Sequence, residues 1–328
     1  MRLLIRAFAL VLFFSPALTV AQEFPVTITH KFGATIITEK PVRVVSLSYQ
    51  GHDNFLALGV KPIALRYWYG SHERAVWPWA EEKLGDASPV VLRGEINIEQ
   101  IAALNPDVIE AMWSGITKHE FKLLSRIAPV VPSLAGYNDY QMPWQEIAET
   151  TGTIVGKRLE AKSLIDAIYK RTKEIRATHP DWQNKTAAIA HHWGDSPGAF
   201  TSDDIRAQLL SSLGFKTPEI IDRSAGENGF FMSASAEDLS PLEADVLIWF
   251  GEGSSLKSIR GLPLRKAMKA HKEGREIFAD TVLASALSHG SLLSLPFALE
   301  ELIPLIELAI DGDPKTQVPS SVEAKIAP

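Results

Sequence analysis

Residues 99–111 reappear in outline 138 positions later (237 − 99). Glu99 answers to Glu237, Ile101 to Leu239, Leu104 to Leu242, Asp107 to Asp245 and Val108 to Val246, with no slip of register. Each copy opens on a residue suited to capping a helix, Asn97 or Ser235. It continues for two turns with apolar residues three apart, breaks, and enters an Asp-Val-Ile or Asp-Val-Leu strand. Each copy is therefore expected to be a helix feeding a strand. One copy would be an ordinary αβ unit, but two at constant offset imply two similar α/β lobes, and a groove between lobes is where small ligands usually sit. The pattern points to binding before any catalytic motif is sought.

The N-terminus carries Arg2 and Arg6, an apolar run over 7–14, Pro16, and the small-residue approach Thr19-Val20-Ala21. This is the layout of a secretory signal peptide cut after Ala21, with an apolar core too short for a permanent span. No later stretch is long and apolar enough to cross a membrane, so a soluble periplasmic protein is expected. Cysteine is absent, which removes disulfides, thiolate metal sites and, with Gln22 after the cut, a lipid-carrying cysteine. Loss of the leader removes two arginines and no acids, leaving 31 basic against 39 acidic residues. That balance argues against nucleic acid as a partner.

Along the chain, a hairpin is expected over 26–37, then strands at 42–47, 63–65 and 90–92, with a helix at 53–58 closed by Gly59. An aromatic loop holds Tyr67, Trp68, Tyr69, Trp77 and Trp79. Alternating strands and helices predict a mostly parallel sheet covered on both faces. A helix starting after Gly156 and stopping before Pro180 carries Leu164, Ile165, Ile168 and Ile175 as its apolar stripe. At 1.5 Å per residue it spans about 30 Å, the width of a lobe. The second half repeats the order, with a strand at 186–192, a helix at 204–213, a strand at 246–250 and a last helix at 296–310. The predicted layout is a signal peptide over 1–21, a first lobe over 22–156, a connecting helix over 157–179, a second lobe over 180–312, and a poorly ordered polar tail over 313–328.

Four stretches carry a family resemblance: residues 41–47 (PVRVVSL), 58–62 (LGVKP), 97–107 (NIEQIAALNPD) and 127–131 (IAPVV). In that order, and with LLSLPFALEEL at 292–302, they resemble the periplasmic substrate-binding proteins of ABC importers for ferric siderophores and cobalamin. The iron-hydroxamate binders are closest in pattern. The resemblance implies two Rossmann-like lobes with mostly parallel sheets joined by a single long helix, and no reaction; because a strut helix limits hinge motion, little lobe movement on binding is expected. It also implies that Glu99 and Glu237 meet arginines on an inner-membrane permease; the alternative is that each merely favours its helix's first turn. Iron would arrive inside the siderophore, with no cofactor of the protein's own, and the protein is expected to act as a monomer.

Residues 92–99 (LRGEINIE) look like the segment in which hydroxamate binders use an arginine against ligand oxygens, which makes Arg93 the leading site candidate. Arg66, at another strand end, follows the same logic. Trp68, Trp113 and Tyr137 on the first lobe, and Trp193, Phe230, Phe231 and Phe250 on the second, are candidates for the groove wall. His289 stands where the family often contributes an aromatic. A triply anionic tris-catecholate would call for several converging arginines, and beyond Arg93 and Arg66 only Arg223 is offered, so a hydroxamate chelate is preferred. Haem or cobalamin remains an alternative ligand. Direct binding of free metal is disfavoured, because no His-x-x-x-His occurs and His191 and His192 should point to opposite faces of a strand. A hydrolase is the remaining rival. Residues 194–198 match Gly-x-Ser-x-Gly around Ser196, but the residue after the serine is Pro197, which has no N–H for an oxyanion.

Overall fold

The computed structural model describes residues 24–194, 196–225, 229–251 and 254–328; the expected signal peptide lies outside the described residues. A hairpin, β1 (Val26–His30) and β2 (Gly33–Ile37), precedes the first large sheet. That sheet contains β3 (Val44–Ser46), β4 (Ala64–Arg66), β5 (Val90–Leu92), β6 (Val108–Ala111) and β7 (Val130–Pro132), in the order β5-β4-β3-β6-β7 and parallel throughout. The second sheet contains β8 (Ala187–Trp193), β9 (Ser196–Phe200), β10 (Phe231–Ser233), β11 (Val246–Phe250) and β12 (Glu276–Ala279), in the order β10-β9-β8-β11-β12. There β8, β11 and β12 run parallel, whereas β9 is antiparallel to both β8 and β10. The two-lobe α/β architecture follows. No helix among the described residues is long and apolar enough to cross a membrane.

The helix Arg158–Thr178 joins the lobes, and its buried side chains Ala161, Ile165, Ile168, Thr172 and Ile175 recur at three- and four-residue steps. This stripe changes hands along its length. Ala161 belongs to the core of the first lobe, while Ile165, Ile168 and Ile175 belong to that of the second. A single rigid element is thereby cemented into both cores.

The repeat is visible in what its aspartates do. Asp107 Oδ2 accepts the backbone N–H groups of Val42 and Arg43 at 2.8 and 2.7 Å, and Asp245 Oδ2 accepts the N–H and hydroxyl of Thr186 at 2.8 and 3.0 Å. In each lobe the carboxylate before the strand beside the central one ties down the entry of the central strand. The copies differ in the segment before it. Residues Ile98–Ala103 form the expected helix, capped by Asn97, whose side chain accepts from Gln100 N. The second copy is not an α-helix: a turn over 235–238 leads to a short 3-10 segment, Ser240–Leu242. Ser235 Oγ accepts from Glu237 N and Asp238 Oδ1 from Ser240 N, so local side-chain bonds capture the donors a helix would need. Pro241 then removes another N–H where the helix would continue.

The C-terminal residues also depart from expectation. The short helix Pro319–Glu323 packs on β12, with Val318, Ser321, Ala324 and Ile326 buried. Ser321 Oγ donates to Glu276 O at 2.7 Å, and Arg265 Nη1 donates to Ile326 O at 2.8 Å. The apolar residues that permit this are few and spread among polar ones, which is why composition suggested a loose tail. Arg265 also pairs with Glu276 at 2.6 Å, and both are almost wholly buried; His271 and the Trp249 indole supply the carboxylate's other contacts. Arg265→Met should leave that carboxylate without its cation and lower the unfolding free energy by about 3–5 kcal/mol, measurable by urea denaturation. Arg265→Met/Glu276→Leu should recover most of the loss.

Candidate ligand-binding cleft

A cavity of about 580 Å³ opens between the lobes at the carboxyl ends of their parallel strands. This is where ligands sit on open α/β sheets, and the size is that of a small-molecule site. From the first lobe come Gln50, Trp113, Tyr137, Tyr140 and Trp144; from the second, Trp193, Phe200, Arg206, Phe230 and Phe231.

Trp113 is placed by a buried carboxylate. Glu110, on β6, accepts from Ser46 Oγ at 2.8 Å, from Met112 N at 2.7 Å and from Ser48 Oγ, and Ser48 Oγ in turn accepts from Trp113 N at 2.8 Å. Complete burial pushes the Glu110 carboxyl above its ordinary range, while these donors pull the other way. The β3 and β6 ends are thus locked together beneath the tryptophan. Gly51 lets the chain pass against the Glu110 carboxyl, where any side chain would collide with it.

Tyr140 adopts a left-handed backbone (φ 67°), and its hydroxyl fits against Gly115, itself at φ 68°. A non-glycine residue in that region marks a position held by its surroundings. The Tyr140 ring lies edge-on to Trp113 at 5.0 Å, and partial burial raises its phenol pKa.

The second-lobe wall is an aromatic ribbon. Trp193 is 50% exposed although its ring stacks on His191 at 3.7 Å and meets Phe200 and Phe231 edge-on. Burial, with Arg206 and His192 nearby, holds the His191 imidazole down at about 3, so it stays neutral. Arg206 sets its guanidinium 4.0 Å from the Phe200 ring centre, donates to Asp204 Oδ2 at 2.7 Å and to Ser288 Oγ at 3.0 Å, and lines the cavity.

Trp113, Tyr137, Trp193, Phe230 and Phe231, of the residues nominated from sequence, are brought together on this wall. The others are elsewhere. Arg93 is exposed with its guanidinium 3.9 Å over Tyr67. Arg66 lies over Tyr49 at 4.4 Å and donates to Ser114 O at 3.0 Å. Trp68 packs behind Trp113, at 5.3 Å. Phe250 is buried beneath Phe200, at 5.8 Å. His289 is wholly enclosed among Trp68, Tyr69, Trp77 and Trp79. Glu99 and Glu237 are exposed, each just beyond the carboxyl end of a strand. Sequence reasoning missed Gln50, Tyr140, Trp144 and Arg206; the signal for Arg206 was its place in the first turn of a helix that follows a strand. Ser196, the serine of the Gly-x-Ser-x-Gly match, begins strand β9 and is not on a strand-to-helix elbow.

Behind the cavity the lobes are joined by hydrogen bonds. Asp53, fully buried on the first lobe, accepts from Ser291 Oγ at 2.6 Å and from the Trp79 indole at 2.8 Å, and Asn54 Oδ1 accepts from Leu292 N at 3.0 Å. Burial lowers the His52 pKa, so the 3.6 Å approach of its Nε2 to Asp53 is not an ion pair at neutral pH.

Residues 44–282 match the model of the periplasmic binding protein family. The chain belongs to that family. It is 28% identical over 235 residues to the probable siderophore-binding lipoprotein YfiY of Bacillus subtilis, which covers 68% of each chain. It is 26% identical over 298 residues to the ferric-anguibactin-binding protein FatB of Vibrio anguillarum, covering 86% of this chain and 87% of that one. A periplasmic solute binding protein from Mycobacterium smegmatis superimposes with a TM-score of 0.78 at 32% identity, over 87% of this chain and 99% of its own. PiaA from Streptococcus pneumoniae, solved in complex with ferrichrome, gives 0.72 at 28% identity, over 88% and 99%. These are substrate-binding proteins, and this chain is a binding protein and not an enzyme.

Burial also holds the His289 imidazole down, at about 4. Between that value and the unfolded value near 6.5, the unfolded chain binds the proton and the native one does not. The stability from this site is therefore fully present above pH 6.5 and is lost as pH falls toward 4. Glu110 contributes with the opposite sign, so the comparison must be between variants. Melting temperatures measured from pH 7.5 to 4.5 should fall less steeply for His289→Gln than for the parent.

Proposed function

We propose that the protein captures a ferric siderophore, preferably of the hydroxamate type, in the inter-lobe cavity and delivers it to an inner-membrane ABC permease, working as a periplasmic monomer. The observation that carries this reading is the aromatic cavity with a tied back. A coordinatively saturated iron chelate needs shape, ring surface and a few donors, and offers no open metal position for protein ligands. The names of YfiY, FatB and the ferrichrome-bound PiaA support the ligand class. Charge supports the hydroxamate preference: the described side chains facing the cavity include one guanidinium, Arg206, already paired with Asp204. A neutral tris-hydroxamate complex suits such a site better than a polyanion.

The inner contacts on this reading are Trp113, Tyr137, Trp193, Phe230 and Phe231, with Arg93 and Arg66 as outer groups. Tryptophan fluorescence of the protein, titrated with ferrichrome, a ferric catecholate, ferric citrate, haem and cobalamin, should be quenched saturably by ferrichrome. Trp193→Ala should weaken that binding about tenfold. Weaker binding in Arg93→Ala would extend the ligand across the mouth of the first lobe, and unchanged binding would confine it to the cavity. Quenching by haem or cobalamin alone would replace the siderophore.

Glu99 and Glu237 are proposed as the permease contacts, one on each lobe. Reversing both to arginine should abolish siderophore-dependent growth under iron limitation while leaving the fluorescence titration unchanged. Normal growth of that double variant would remove the docking role.

A further inference from the structure

The charges facing the cavity do not cancel. Arg206 is committed to Asp204 at 2.7 Å and to Ser288 at 3.0 Å. Asp203 also lines the cavity, from its exposed rim, and no Lys or Arg among the described residues forms an ion pair with it. Two carboxylates thus stand against one guanidinium. A second acceptor lacks a donor: Gln50 lines the same cavity at 3% exposure, and its Oε1 has no hydrogen-bond partner. A buried amide oxygen left unpaired is costly unless something supplies an N–H or O–H. The same cavity is lined by Trp113, Tyr140, Trp144 and Trp193, and π-faces attract cations. The Tyr140 phenol, whose pKa partial burial raises further, is neutral and can donate.

We propose that Asp203 is a specificity-determining residue, which selects, among hydroxamate chelates, those carrying a pendant ammonium group over neutral and anionic ones. The proposal rests on the siderophore reading above and adds to it the charge of the ligand's periphery. A ferric tris-hydroxamate core is neutral, because three hydroxamate anions balance the ferric ion. A protonated side amine then makes the complex a cation, with donors to offer to the carboxylate. The exposed position of Asp203 keeps the effect modest and sensitive to salt.

Two probes differ only in this feature: the ferric complex of desferrioxamine B, whose terminal amine is free, and that of its N-acetylated derivative. Fluorescence titration at low ionic strength should show the amine form binding about fivefold tighter. High salt should erase most of that margin. In Asp203→Asn the two complexes should bind alike, at the affinity the parent shows for the acetylated form. Equal affinities in the parent protein would overturn the role of Asp203 and leave the hydroxamate reading standing. A preference that persists in Asp203→Asn would overturn it too. Absence of quenching by either complex would overturn the role of Asp203, and ferrichrome titrated in parallel would report separately on the hydroxamate reading.

Discussion

The cleft depends on a few buried hydrogen bonds that tie the lobes together behind it. Asp53 lies out of water on the first lobe and accepts from Ser291 of the second and from Trp79, while Asn54 receives the Leu292 N–H. A desolvated carboxylate is tolerated only where donors replace its hydration, so separating these elements would leave an unpaired charge at their joint. The long helix adds a second tie, with its apolar stripe shared between the two cores. The lobes are thus joined at two places, by hydrogen bonds behind the cavity and by the shared helix.

Much of this was legible in the chain. The repeat implied two lobes, and its aspartates proved to perform the same clamp in each, because a carboxylate just before one strand lies beside the backbone entering its neighbour, here the central strand. The strut was readable from Gly156, Pro180 and the isoleucines between them. Less visible was the failure of the second copy to become a helix, although Ser235, Asp238 and Pro241 each carry a physical reason. Aromatics at strand ends were the hardest to sort. Phe250 and Phe231 both lie at a strand end, yet Phe250 is buried and Phe231 faces the cavity. The difference comes from the reversal of β9, a tertiary choice that the local pattern does not encode. Arg206 was missed for the same reason, since the reversed strand delivers its helix to the cavity rim.

Polar groups under the aromatic surface act as its foundation. Glu110 binds two strand ends and, through Ser48, sets Trp113; neutral His191 gives Trp193 a flat ring to lie on. The wall is thus held from beneath by groups that do not themselves line the cavity. Large rings can then remain exposed without collapsing onto one another.

The two lobes have diverged unequally. One keeps five parallel strands, each bonded to its neighbours through long crossovers that cannot be altered singly. The other carries an antiparallel ribbon, β8 to β10, along its edge, and on or beside that ribbon stand Trp193, Phe200, Phe230 and Phe231. Only β10, the outermost strand of that ribbon, lies at the sheet's edge, whereas Ile189 of β8 and Phe200 of β9 pack in the same core as the strut's isoleucines. The rings that face the cavity from the second lobe are gathered on one flap of backbone, apart from the bonds that hold the lobes together.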